Sequence, residues 1–129
     1  AGIAHGDLGR HSVVVDTDGC PWLVDFDHAR AAAPERARQA DLVELLCSLA
    51  VCVGPDRAAA AAVKAFGREP LAAALAATAP SALTQTTRQE LSDNPGLWDQ
   101  LADRVADGAP APAADGDAAV RRRSSDPSR

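Results

Sequence analysis

The sequence predicts an α+β fold, mostly α: one β-hairpin near the start of the chain, followed by a helical subdomain. Two observations predict the hairpin. A β-branched run, Val13-Val14-Val15, and an apolar stretch from Pro21 to Phe26 flank Asp16-Thr17-Asp18-Gly19, a turn sequence whose glycine can supply a positive φ. A third predicts the helices. From Glu35 onward apolar residues recur at helical spacing, and glycines and prolines cut that stretch into short segments.

In chain order, residues 1–12 read as irregular, with Gly2, Gly6 and Gly9 relaxing the backbone around His5 and Asp7. Ser12 to Asp16 reads as a buried strand. Pro21 to Phe26 reads as its partner, with the proline at the strand start, where a missing N–H is tolerated. Residues 28–34 read as a linker ended by Pro34. A helix is expected from about Glu35 to Val53, apolar over a wide face and largely buried, with Asp41 set into it. Gly54-Pro55 stops that helix and starts the next, which runs to about Phe66 and is closed by Gly67. Another is expected from near Pro70 to about Ala77, and a polar-faced one over 82–91 anchored by Leu83 and Leu91. Asp93-Asn94-Pro95 reads as the cap and first turn of a last helix, which runs to about Ala106 with Leu97, Trp98, Leu101 and Val105 on one stripe. Beyond Asp107, Ala109-Pro110-Ala111-Pro112 and the Ala/Asp/Gly run are too poor in large apolar residues to build a core. The expected organisation is therefore one lobe over 1–106 and a disordered tail or juxtamembrane linker over 107–129, whose Arg121-Arg122-Arg123 cluster would suit anionic lipid.

Composition narrows the function classes. The 129 residues make one small domain, 47% hydrophobic but only 3% aromatic, so the core must be aliphatic. A net charge of −5 argues against nonspecific nucleic-acid binding. Cys20, Cys47 and Cys52 are odd in number and lack CxxC spacing, as ordinary thiols of a reducing compartment would. The absence of methionine and the opening Ala1 lead us to expect either residues ahead of this chain or a misassigned start. No run has the length or apolarity to span a bilayer.

The residues that could carry chemistry lie at the hairpin's two ends. His5 and Asp7 sit in the loop before it, and Asp25 and Asp27 close its second strand, so the hairpin should bring carboxylates together. A carboxylate ending an apolar strand is costly to bury unpaired and calls for a cation or backbone N–H groups. Phosphoryl transfer to a hydroxyl needs such a pair, one carboxylate to orient the acceptor and one to hold magnesium on the phosphates. Asp41, within an apolar helix, is either solvated or buried as an acceptor for N–H groups of the His5–Leu8 loop.

His5-Gly6-Asp7-Leu8, followed by two strands and Asp25-Phe26-Asp27, resembles the catalytic and metal loops of the protein-kinase-like fold. With glycine after the histidine, and with Trp22-Leu23-Val24-Asp25-Phe26-Asp27-His28-Ala29, it most resembles the aminoglycoside-phosphotransferase and lipopolysaccharide-kinase-like branch. The resemblance covers about residues 1–106 and implies a kinase-like C-terminal lobe. Leu83-Thr84-Gln85-Thr86-Thr87-Arg88 and the segment Asn94 to Leu101 also resemble kinase-like domains fused to lysylphosphatidylglycerol-synthase-type, flippase-like bacterial membrane proteins.

By this resemblance Asp7 would be the catalytic residue that orients or deprotonates the acceptor hydroxyl, and Asp25 the magnesium ligand on the ATP phosphates. His5 and Phe26 would pack together in support, and Asp41 would anchor the catalytic loop. Ser12 stands where the family carries an asparagine as second metal ligand, and a neutral hydroxyl is a poorer ligand; His11 beside it is no substitute, since magnesium prefers oxygen. Asp27 replaces the glycine of the metal-loop motif and could add a carboxylate to the nucleotide site. The glycine-rich loop, the phosphate-binding lysine and its glutamate partner belong to an N-terminal lobe and have no counterpart here; Lys64 is the single lysine. The expected function is that of a lobe which, within a longer protein, moves phosphate from Mg2+-ATP to a small-molecule or lipid-linked hydroxyl, in the cytoplasm or at the inner face of the membrane, and which is inactive alone. Two other readings stay open: a pseudokinase-like regulatory module of a membrane protein, and a truncated reading frame.

Overall fold

The computed structural model describes residues 2–107. The expected tail, with Arg121-Arg122-Arg123, lies outside the described residues. The architecture is α+β and mostly α, with four short strands, β1 Ile3–Ala4, β2 Val13–Val15, β3 Pro21–Leu23 and β4 Arg30–Ala31, and five helices, α1 Glu35–Val53, α2 Pro55–Phe66, α3 Arg68–Ala77, α4 Gln85–Asp93 and α5 Leu97–Asp107.

The expected hairpin forms, but its second strand ends at Leu23, short of Phe26, so Asp25 and Asp27 lie beyond it. β2 and β3 are antiparallel, with Val13 opposite Leu23 and Val15 opposite Pro21. Its turn is built around Asp16, whose carboxylate accepts the N–H groups of Asp18 and Cys20, each at 2.9 Å, and the indole N–H of Trp22 at 2.9 Å. The Trp22 bond, then the backbone donors, hold the Asp16 carboxyl below its ordinary value. The hairpin is not buried, contrary to the sequence reading. Val14 is 50% exposed and Trp22 60%, because no helix packs on this two-stranded ribbon among the described residues. β-branching specified the strand but not what would cover it.

The segments on either side of the hairpin also differ from expectation. Residues 1–12 are not wholly irregular, nor is 28–34 a plain linker. β1 and β4 pair antiparallel, Ile3 opposite Ala31 and Ala4 opposite Arg30, and a 3-10 turn spans Arg10–Ser12. Two-residue strands have no room to show an alternating pattern, so only tertiary pairing reveals them.

The helices pack around α1. Val43 and Cys47 on α1 are fully buried, as are Leu71 on α3 and Leu101 and Val105 on α5; Ala58 and Ala59 of α2 are buried in the same core. With alanine so abundant, the helices approach closely and the few large side chains carry much of the burial. Three helix ends differ from the sequence reading. α3 begins at Arg68 rather than Pro70, because Gly67, at φ +90°, both closes α2 and opens α3. The fourth helix starts after Thr84, whose hydroxyl accepts from Thr87 N–H, and a 3-10 turn over Pro80–Ala82 precedes it. Asn94 serves the end of α4 rather than the start of α5: its side-chain amide donates to the Glu90 carbonyl at 2.8 Å. Trp98 packs, partly buried, against the core.

Leu101→Ala should destabilise the protein by about 2–5 kcal/mol, the usual result of emptying a filled core site, read as a lowered urea midpoint. Cys47 gives a second expectation. Burial, with the Glu44 and Glu90 charges adding to it, pushes its thiol up to about 12. Cys20 and Cys52 are exposed. A thiol reagent at pH 8 should modify those two rapidly and Cys47 only after denaturation. The unfolded chain ionises this thiol at its ordinary 9.0 while the folded chain does not. Stability should therefore fall with rising pH above about 9.

Candidate functional site

The site is built from a loop that α1 holds in place. The Asp41 carboxylate, buried on α1, accepts the backbone N–H of His5 at 2.5 Å and of Gly6 at 3.0 Å, one on each oxygen. Position 6 must be glycine: it sits at φ +88°, and a Cβ there would meet the His28 carbonyl oxygen at 2.6 Å. The His5 ring, also buried, links the loop to the end of the hairpin. Its Nε2 lies 2.8 Å from the Val24 carbonyl, its Nδ1 lies 3.3 Å from the Asp7 N–H, and its ring centroid lies 4.7 Å from that of Phe26. With Nδ1 accepting from Asp7, the proton belongs on Nε2, where it donates to Val24.

Asp7 and Asp25 are tied together through two residues. The fully buried Ser12 donates its hydroxyl to the Asp7 carbonyl at 2.7 Å, and its own carbonyl accepts the Val24 N–H at 2.9 Å. Val24 immediately precedes Asp25. Ser12 therefore braces the Asp7 peptide from inside the protein. Asp25 is exposed and adopts φ +63°, in the left-handed region, a conformation that costs a non-glycine residue about 1–2 kcal/mol. Asp25 thus lies two residues past β3 in a left-handed, exposed conformation, the kind of backbone outlier that clusters at functional sites. Asp27 and Phe26 follow it, both exposed.

Around Asp7 lie residues that sequence reading did not assign to the site. His11 Nε2 is 3.2 Å from Asp7 Oδ1. Arg10 donates its N–H to Ser48 Oγ on α1 at 2.7 Å, and its guanidinium pairs with Glu90 on α4. Glu44, buried on α1, accepts from the Thr84 N–H, the Thr84 hydroxyl and the Thr87 hydroxyl, fixing the start of α4. A cleft of about 410 Å³ lies between the loop and α4, lined by Asp7, Gly9, Arg10, His11, Ser48, Thr86, Thr87 and Glu90. One sequence signal was available. Asp41, Glu44 and Ser48 are polar residues in an apolar run, spaced three and four apart, so they form one stripe on the helix.

The donor set fits magnesium. Asp25 and Asp27 offer oxygen ligands, and magnesium characteristically takes one or two carboxylates, retaining waters and substrate phosphate oxygens for the rest. Among the described residues no three His, Cys, Asp or Glu side chains gather as an all-protein metal cage, and no helix is long and apolar enough to cross a membrane.

The chain is similar over part of its length to two curated kinases. Two curated proteins, each a 3-deoxy-D-manno-octulosonic acid kinase, from Stenotrophomonas maltophilia strains K279a and R551-3, are each 42% identical over 50 residues. The match takes in 38% of this chain and 20% of each relative. No protein-family model matches the chain, and no solved structure does.

Asp41→Ala tests the loop anchor. It leaves two N–H groups without their charged acceptor, each such bond worth about 1.5–3 kcal/mol. A stability loss of about 3 kcal/mol is expected in urea unfolding, whereas an unchanged midpoint would mean that water serves those groups equally well.

Proposed function

We propose that this chain is the C-terminal lobe of a kinase-like phosphotransferase, which moves phosphate from Mg2+-ATP to the hydroxyl of a small-molecule or lipid-linked acceptor. The carrying observation is the shared bracing of two carboxylates: Asp7 and Asp25 hang from one framework of Asp41, His5, Ser12 and Val24. The partial similarity to 3-deoxy-D-manno-octulosonic acid kinases supports the same reaction class and makes that sugar acid the first acceptor to test.

In this reading Asp7 accepts the acceptor hydroxyl's hydrogen bond and takes its proton as the new O–P bond forms, while the bond from the γ-phosphorus to the ADP oxygen breaks and ADP departs. His5 holds the Asp7 backbone through its Nδ1, and His11 steadies the carboxylate from the cleft side. Asp25, with Asp27 beside it, would hold the metal, which neutralises phosphate charge when bound. The uncovered apolar side chains of the hairpin, Val14, Trp22 and Leu23 among them, supply a surface on which a nucleotide-binding lobe can pack. ATP binding and turnover are accordingly assigned to the full-length protein and not to this lobe alone.

One observation favours a second reading. Ser12 is wholly buried with its hydroxyl committed to Asp7, so the second metal ligand of the kinase pattern is not offered at that position. A pseudokinase-like module, which binds nucleotide or a protein partner without transfer, is the alternative.

Calorimetry and phosphotransfer assays on the full-length protein separate the two. On the enzyme reading, ATP binds in a magnesium-dependent manner and Asp25→Asn abolishes that binding. Asp7→Asn retains binding and lowers kcat by about 10²–10⁴-fold, the usual worth of a positioned base. Magnesium-dependent binding without transfer to any hydroxyl acceptor would establish the pseudokinase reading; binding unaltered in Asp25→Asn would remove the metal assignment.

A further inference from the structure

We propose that Arg10 and Glu90 are positioning residues: their ion pair lets α4 set where the Asp7 carboxylate points. This inference rests on the phosphotransferase reading above and adds to it an element, α4, on which the transfer step depends.

The backbone of Asp7 and its carboxylate are held by different means. The backbone is fixed on both sides, the N–H by His5 Nδ1 at 3.3 Å and the carbonyl by the Ser12 hydroxyl at 2.7 Å. Neither bond touches the carboxylate. That group is met by His11, whose Nε2 lies 3.2 Å from Oδ1. With Oδ1 engaged, Oδ2 is left to take the acceptor hydroxyl's hydrogen bond.

The His11 ring is placed by the turn that carries it. It lies across Gly9, where a Cβ would come within 2.9 Å of its Cε1 and 3.1 Å of its Nδ1. Gly9 is buried in an ordinary extended conformation, so the demand there is for space and not for backbone freedom. The turn closes with the Ser12 N–H on the Gly9 carbonyl at 2.9 Å. Two contacts dock it on the helices. The Arg10 N–H donates to Ser48 Oγ on α1 at 2.7 Å, and the Arg10 guanidinium pairs with Glu90 on α4. Arg10 and His11 are consecutive, so a shift in one moves the other. The line of contact therefore runs from α4 through Glu90, Arg10 and His11 to Asp7.

The exposure of the ion pair separates geometry from stability. The Arg10 side chain is 44% exposed and that of Glu90 15%. A pair this open to water adds little to stability, since solvent and salt screen it. Its worth lies in direction. Glu44 anchors the start of α4 through Thr84 and Thr87, so Glu90 offers a fixed point, and the planar guanidinium meets a carboxylate in a defined orientation. A displacement of about 1 Å in a reacting group can cost about 10²-fold in rate, so slack in this tether reaches the chemistry.

The test uses the full-length protein with isotope-labelled histidine. Arg10→Gln and Glu90→Gln each remove the charge pairing and keep the Arg10 N–H on Ser48. Each should leave the urea midpoint and Mg2+-ATP affinity unchanged and displace the His11 ring signals in NMR, with those of His5 in place. Each should lower kcat for transfer to 3-deoxy-D-manno-octulosonic acid by about ten-fold. The double variant should show the same loss and not the product of two, because the side chains act as one unit. The reversed pair, Arg10→Glu with Glu90→Arg, should recover part of the rate. Unmoved His11 signals in both single variants, or losses that multiply in the double, would overturn the tether and leave the phosphotransferase reading standing. A wild type that binds Mg2+-ATP and transfers to no hydroxyl would overturn that reading, and the positioning role with it.

Discussion

The site depends on one carboxylate. Asp41 projects from α1 and takes the N–H groups of His5 and Gly6, so a glycine-containing loop with little hydrogen-bonded structure of its own is held to a helix in the core. The geometry demands a glycine at position 6, where the backbone crosses His28, and it delivers the His5 ring to Val24 and Phe26. A buried acceptor of this kind is stabilising only while both donors are in place, so loop and helix must form together.

Asp41 is the first of three polar residues with the same task. Asp41, Glu44 and Ser48 run along one side of α1, and each ties down a different segment: the His5–Gly6 turn, the start of α4, and the Arg10 backbone. The opposite side of α1 meets α2, α3 and α5 through aliphatic contacts. One helix therefore separates the molecule's two jobs. Its apolar surface supplies burial, and its polar stripe positions the loop and helix that enclose the cleft. Glu44 and Asp41 are tolerable inside because each is met by hydrogen-bond donors.

On the far side of the loop, bonds joining Ser12, Val24 and His5 hold the hairpin at its base, and Asp16 braces the turn at its tip. Its apolar side chains lie uncovered while Asp25 is fixed in a left-handed conformation beside them. Strain, exposure and shared bracing with Asp7 coincide at this one edge.

The sequence by itself determined the class of fold, the hairpin and its turn, and the approximate span of every helix, because these follow from local chemistry: β-branched runs, an Asp-and-Gly turn, helical periodicity, and Gly-Pro punctuation. It also singled out His5, Asp7 and Asp25 through the motif they form together, and left Asp41 either solvated or buried. Only the tertiary structure decided what those residues touch. The pairing of β1 with β4, the exposure of the hairpin, the burial of Ser12 and the Arg10–Glu90 pair join segments up to 80 residues apart. Nothing in a local window encodes such contacts, since each exists only once α1 has brought its partners together. The polar stripe of α1 lies between the two cases: its spacing was legible, but its meaning required knowing which donors would arrive.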